Sequence, residues 1–461
     1  MNRQDFEQQF EAISDQIWEF AETRYQEFRS RALQADFLEQ EGFTVTRNLG
    51  GIATAFSASF GSGHPVIGLL GEFDALPRMN QAADVPEKQA ERPGAAGHGC
   101  GHNLLGTGAM EAACLIRDWL LQTRSEGTVI YFGCPAEEGG AGKAFLTRSG
   151  CFHGLDFALA WHPGSKTGLI KEALANIRVI FDFTGKSAHA AAHPELGRSA
   201  LDACELMNVG VNYLREHVKS DARMHYAYLN DGGDAPNIVP AAATLLYALR
   251  APESAYVAEL YERVGDVAKG AALMTGTKVS YRTVSAYADL LSIPAMEKVM
   301  MEAMQEAEKP EYTEEDYAYA AQFAADENSP SIDTDILPAD QTINLGSTDV
   351  GDVSWLTPTA QIHVAAGNGG AYVGALSGMK VPVEQGQINV TLQPNSGEIW
   401  IPEEGGAEEP ERTPIEPVKF KAVKVEVAMP VTGPENVQTK ELRPELSGQA
   451  AKVTAPEHKI E

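Results

Sequence analysis

The sequence predicts an α/β protein, a mostly parallel sheet flanked by helices and interrupted by a smaller α/β unit. Three observations carry this. Apolar strand-like runs alternate with helical patterns over residues 1–175 and return over 289–366. Residues 176–288 read as strand, helix, two strands, helix, strand, which is the split βαβ plan. The chemistry-bearing strings GHGCGHN, CPAEEGG and ALAWHPG each lie at an apolar run that reads as a buried strand or its end, and ligands collect beyond the carboxyl ends of strands in open α/β sheets.

The N-terminal segment places Phe6, Phe10, Ile13, Ile17 and Phe20 at helical spacing, so it is an amphipathic helix rather than a leader. A strand is expected before residue 60, and VIGLLGEFDALP (66–77) is an apolar strand running into a turn. Residues 78–97, rich in Gly, Pro and charge, read as a surface loop. Leu104, Ala109, Ala113, Leu115 and Trp119 give the next stretch a helical pattern, and TVIYFG and DFALAWHPG supply two more strands. In the inserted unit, IRVIFDFTG alternates, 199–217 is helical, MHYAYLN and AATLLYALR form a strand pair, 254–274 is helical and TKVSYRT closes the set. Residues 289–325 are helical and acidic, and STDVGDVSW precedes a last short apolar stretch ending near Ala366. The remainder, 367–461, is rich in Pro and Glu without helical or strand periodicity, and reads as a disordered or loose tail.

With 36 Lys and Arg against 64 Asp and Glu, the formal net charge is -28. Such acidity argues against nucleic acid or an anionic membrane as main partner. No apolar stretch approaches the roughly 20 residues that span a bilayer. The five cysteines (100, 114, 134, 151 and 204) form an odd set without a disulfide-framework spacing, the pattern of a reduced, cytoplasmic chain.

Metal chemistry needs several protein donors around an open coordination position. Cys100 and His102, separated by one glycine, reach one point only from a turn, which Gly99 and Gly101 permit. By itself this string is equally compatible with a helix-capping turn around a buried cysteine. Glu137 and Glu138 stand at a strand end before glycines, and adjacent side chains point apart, so one carboxylate can bind metal while the other handles a proton. A merely acidic surface loop is the plainer alternative. His162 ends a third strand; alone it is as compatible with a structural role as with ligation. Asp74 occupies the corresponding place on the earlier strand, where it can orient a ligand or simply cap a turn.

These strings, together with GKSAHAAAHPELGRSALDA, PNIVPAAA and LRAPE, resemble the aminoacylase/carboxypeptidase family of metal-dependent amidohydrolases, over residues 1 to about 366 and in the family's order. The resemblance implies a catalytic domain of zinc-exopeptidase type (1–175 and 289–366) holding two divalent ions, Zn or Mn. It implies an inserted ferredoxin-like lid or dimerisation domain (176–288). Cys100 then matches the metal-bridging position, with His102, Glu138 and His162 as ligands and Glu137 as general base. His189 matches the histidine that stabilises the oxyanion from the other subunit, and Asn237 and Arg250 match positions that hold a substrate carboxylate. An Arg fork suits that task, although each of these three residues is also compatible with a capping or surface role.

The implied reaction is hydrolysis of an N-acyl or N-aroyl amino acid, or a dipeptide, with a free carboxylate, by a homodimer or a heteromer with a related subunit. One departure stands out. The family carries a fifth ligand, a histidine after the STDVGDVSW region, whereas this chain has only His363 and His458 after His225, and neither matches. The alternative implied is a weak or inactive relative that binds ligand or a partner subunit.

Overall fold

The structure is a computed structural model. It describes residues 3–85, 89–164, 166–307, 311–323, 333–342 and 346–365, with the backbone of two paired strands, Gln387–Thr391 and Lys424–Ala428. The rest of the proposed tail, and the region where a late histidine ligand is expected, lie outside the described residues.

Helices α1 (Arg3–Phe20) and α2 (Phe28–Gln40) precede strands β1 (Thr44–Arg47), β2 (Phe56–Ser62) and β3 (Val66–Glu72). Then come α3 (His102–Thr123), β4 (Gly127–Cys134), the short α4 (Glu137–Gly140), α5 (Gly142–Arg148), β5 (Phe157–Gly164) and β6 (Gly168–Ile170). After the inserted unit follow α8 (Pro294–Glu306), α9 (Glu314–Ala321), α10 (Val350–Ser354) and β11 (Thr359–Ala365). Seven of these strands form one sheet in the order β1-β2-β4-β3-β5-β11-β6. The four central strands, β4, β3, β5 and β11, are parallel, and the outer pairings are antiparallel. The short strand β6 is not foreshadowed by any pattern, because three residues are too few to show a period.

Alternation along the strands divides the core in two. Ile67, Leu69 and Tyr131 pack with Phe10 and Ile17 of α1, Leu105 and Met110 of α3, and Met300 and Met304 of α8. Leu70 and Phe132 pack on the opposite face with Leu146 of α5 and Val350 and Val353 of α10. From β3 the chain crosses to β4 on one side and returns to β5 on the other. This reversal opens a crevice beyond the carboxyl ends of the strands, where ligands bind in such sheets.

The inserted unit runs β7 (Ala175–Thr184), α6 (Ala200–Leu214), β8 (Arg223–Asn230), β9 (Ala242–Ala251), α7 (Ser254–Thr275), β10 (Lys278–Tyr287). Its antiparallel sheet has the order β10-β7-β9-β8, and its own core of Phe181, Met207, Leu245, Leu260 and Val264 lies under the two helices. Its two βαβ halves thus fold as the ferredoxin-like pattern requires. No helix among the described residues is long and apolar enough to cross a membrane.

Asp352 ties the two units together, its Oδ2 accepting the Ala288 amide just beyond β10. Burial of its carboxyl raises its pKa from 3.8 to about 7, against the Ala288 hydrogen bond. The folded state therefore holds a proton that the unfolded chain releases, and stability falls as pH rises from about 4 to about 7. In urea titrations over this range, Asp352→Asn is expected to remove a slope of at most about 1.4 kcal/mol per pH unit. An unchanged pH profile would contradict this assignment.

Candidate metal centre

The crevice collects the side chains that the strand ends deliver. Glu72 ends β3, and Asp74, two residues on, projects to the same side; both are buried. His102 opens α3 and is fully buried. Gly101, immediately before it, has φ +75, and a Cβ there would lie 2.8 Å from Cγ of Pro163, so this tight approach of the α3 start to the β5 end requires glycine. Ala136 and Ala141 bracket the Glu137–Gly140 turn, both in the left-handed region, the kind of backbone strain that clusters at functional sites. Glu27 holds that turn by accepting the Ala136 amide at 2.9 Å, and the Tyr25 hydroxyl donates to the Gly140 carbonyl at 2.7 Å.

Cys100, His102 and His162 bring one potential ligand atom each to a common point, all within 4.8 Å of one another. Cys100 Sγ lies 3.3 Å from His162 Nε2. Glu72, His102 and Glu137 make a second such group. Glu138, the carboxylate expected as a ligand, is in neither group of converging donors; its backbone amide donates to Asp74 Oδ2 at 2.9 Å. Both histidines are oriented through their other nitrogens: Nδ1 of His102 is 3.1 Å from Asp74 Oδ1, and Nδ1 of His162 is 2.7 Å from the Pro163 carbonyl. That leaves each Nε2 turned into the cluster, the arrangement that outer hydrogen-bond partners give to metal-binding histidines. His102 Nε2 is buried without a hydrogen-bond partner, although Glu72 Oε2 is 3.2 Å away.

The electrostatics call for cations. Burial and the neighbouring carboxylates Glu72 and Asp349 push the Glu137 carboxyl well above its usual range, and burial likewise raises Glu138. Burial opposes a charged His102, yet its bonds to Asp74 and Cys100 and the nearby Glu72 raise its pKa well above 6.5. His162, buried and beside His102, falls to about 4 and so offers a neutral ring. Thiol, imidazoles and carboxylates with too little positive charge among them form a donor set that fits divalent metal ions.

Sequence reasoning did not single out Lys143, Glu72 or Asp349, and it set His363 aside as not matching the late ligand. Lys143 is fully buried, its ammonium bonded to Glu72 and, at 2.6 Å, to Asp349 Oδ1. Glu72 and Asp349 were legible only as polar residues beside an apolar strand and a turn. His363 sits on β11 in register with His162 on β5, the two rings stacked with centroids 5.8 Å apart. Its Nδ1 is fixed by the Lys166 carbonyl at 2.9 Å. A parallel register partner of His162 is visible only once the β5–β11 pairing is known.

The remaining candidates lie apart. His189 and Asn237 sit on neighbouring exposed loops, the Ala190 amide donating to the Asn237 carbonyl at 2.9 Å. Arg250 lies near the far end of β9, beside Gly346. β9 begins at Ala242, and at about 3.4 Å per residue its start lies roughly 27 Å from Arg250; Asn237 is in the loop that precedes that start.

No protein-family model matches the chain. It is 45% identical to a p-aminobenzoyl-glutamate hydrolase chain of Escherichia coli over 77% of this chain and 80% of that protein. It is 31% identical to the Xaa-Arg dipeptidase of Mus musculus, over 75% of this chain and 74% of that one. Among solved structures, an aminobenzoyl-glutamate utilization protein from Klebsiella pneumoniae aligns with a TM-score of 0.59 at 17% identity, covering 82% of this chain and 96% of that one. A dinuclear metal-binding peptidase of the M20 family from Bacillus subtilis aligns at 0.52 and 18% identity, covering 78% and 89%. Fold and donor set together define a metal-dependent hydrolase. The chain belongs to the family of these p-aminobenzoyl-glutamate hydrolase and Xaa-Arg dipeptidase chains, metal-dependent amidohydrolases that cleave carbon–nitrogen amide bonds.

Proposed function

We propose that the chain hydrolyses the amide bond of N-acyl or N-aroyl amino acids, or of dipeptides, that carry a free carboxylate. The observation that carries this reading is the convergence of Cys100, His102 and His162 beside a half-buried Glu137 whose carboxyl pKa is raised by desolvation and by Glu72 and Asp349. Cys100, His102, Glu138 and His162 would hold the metal, with Asp74 orienting His102. Thiolate and imidazole favour Zn²⁺, while the carboxylates leave Mn²⁺ as the other choice. When bound, divalent metal supplies Lewis acidity to the amide carbonyl and acidity to water.

Glu137 receives the proton of the attacking water and returns it to the leaving amine. A carboxyl raised by burial is matched to both halves of that task. His189 accepts the Ala191 and Ala192 amides on Nδ1, both at 3.2 Å, so its proton resides on Nε2, a donor fit for an oxyanion.

His189 lies exposed on the inserted unit, so it would act on the site of another subunit. Exposed Val209 and Tyr213 on α6, with Tyr226 and Leu229 on the edge strand β8, offer an apolar surface for that subunit, a second copy or a related chain. Two of the E. coli relatives are named as different subunits of one p-aminobenzoyl-glutamate hydrolase, which motivates the second of these choices. The same assembly would bring Asn237 of one subunit toward Arg250 of the other.

The test is hydrolysis of N-(4-aminobenzoyl)glutamate and simple N-acyl amino acids by Zn²⁺- or Mn²⁺-loaded protein. His189→Ala and Glu137→Ala proteins are each expected to be inactive, and mixed, refolded dimers to regain part of the activity. Mixed dimers that form and remain inactive would refute the cross-subunit role.

A further inference from the structure

We propose that Glu27 and Tyr25 are positioning residues for Glu137, clamping the two ends of the turn that carries it; this rests on the amidohydrolase reading above. Glu27 is buried just before α2, and its Oε1 accepts two amides, that of Tyr25 at 2.8 Å and that of Ala136 at 2.9 Å. The Tyr25 hydroxyl donates to the Gly140 carbonyl at 2.7 Å, and the Gly140 amide donates to the Ala136 carbonyl at 3.1 Å. Glu27 thus fixes the residue before Glu137, and Tyr25 the residue three beyond it. Asp74 Oδ2 accepts the Glu138 amide at 2.9 Å, so buried carboxylates hold the backbone amides on both sides of Glu137.

The turn needs such support. Ala136, Gly139 and Ala141 have φ of +62, +81 and +57, and Glu138 between them is non-helical. Backbone of this kind persists only where its surroundings hold it. The clamp serves the turn rather than its own helix. Glu27 stands at the N-cap position of α2, yet its side chain makes no capping bond there and reaches Ala136 instead. Burial, with Asp74 nearby, raises its pKa to about 7, and Tyr25 itself sits at φ +60, a region that bulky residues avoid.

The clamp also has a fixed base. Thr23 bridges Ala75, and the Glu22 carbonyl accepts the Ala75 amide at 2.8 Å, so the α1–α2 link is tied to the β3 end that delivers Glu72 and Asp74. A Cβ on Gly140 would lie 2.9 Å from Tyr25 Cε2, which seats the ring directly on the turn. Loss of the clamp lets Glu137 move from the water it serves, a fault felt in the chemical step rather than in substrate binding.

The test is steady-state kinetics on N-(4-aminobenzoyl)glutamate. Glu27→Ala is expected to lower kcat about a hundredfold, with KM within about twofold of wild type and metal content unchanged. Glu27→Gln keeps an oxygen for both amides and should recover most of that loss. Tyr25→Phe should lower kcat about tenfold. In a Glu137→Gln background neither Glu27→Ala nor Tyr25→Phe should reduce the residual kcat further, because both act through Glu137. Losses as large in that background, or Glu27→Gln as impaired as Glu27→Ala, would overturn the proposal. Hydrogen exchange of the 134–142 segment separates this from failure of the hydrolase reading. If no amide is cleaved, exchange about tenfold faster in Glu27→Ala but not in Glu27→Gln still supports the clamp. Unaltered exchange overturns it. Should Glu27→Ala fail to fold, Tyr25→Phe decides both measurements by the same criteria.

Discussion

Glu137→Gln is expected to lower kcat by about two to four orders of magnitude, the usual contribution of a positioned general acid–base group. The effect follows from place as much as chemistry. Glu137 follows the left-handed residue Ala136 beyond β4, and burial with Glu72 and Asp349 nearby raises its pKa. Gln keeps the shape and removes the proton acceptor. Because desolvation, Glu72 and Asp349 all disfavour a negative charge at Glu137, Gln should not weaken the fold, and the melting temperature of the metal-free variant should match or exceed that of the wild type. Steady-state kinetics with metal content measured on the same sample is the check. A kcat within a few-fold of wild type would assign the base elsewhere.

Lys143→Met is the second large effect, and it falls on stability. Lys143 is fully buried, and its ammonium lies between Glu72 and Asp349. Those partners and their charges raise its pKa well above the ordinary lysine value, although burial alone would lower it. Removing one partner of a buried ion pair costs about 3–5 kcal/mol, since the other charge stays buried without compensation. That is a large part of the roughly 5–15 kcal/mol by which domains are stable. Pairing Lys143→Met with Glu72→Gln should recover part of the loss in urea denaturation. A single variant as stable as the wild type would mean that water or a metal ion neutralises Glu72 and Asp349 without the lysine.

The sequence carried the architecture further than the site. Strands such as VIGLLGE, TVIYFG and ALAWHPG are legible because a central parallel strand is buried on both faces and so reads as an apolar run. The β7–α6–β8–β9–α7–β10 unit is legible because its strands alternate and its helices keep their period. Glu137, Glu138 and His162 stand out because they lie at a strand end or in the turn beyond it, and Cys100 and His102 because they flank a glycine in the turn that opens α3. Lys143 does not, since a lone lysine in AGKAFL looks like a solvated helix residue until Glu72 and Asp349 are seen around it. His363 depends on the β5–β11 register, which has no local signature.

Titration of the metal-free protein with Co²⁺, followed in the near ultraviolet, tests the central claim most directly. If Cys100 Sγ, both Nε2 atoms and Glu138 share a divalent ion, a thiolate-to-cobalt charge-transfer band should grow in with the first equivalents. It should be absent in Cys100→Ser and weakened in His102→Ala and His162→Ala. A wild-type protein that takes up cobalt without that band, or whose band survives Cys100→Ser, would contradict the metal centre proposed here.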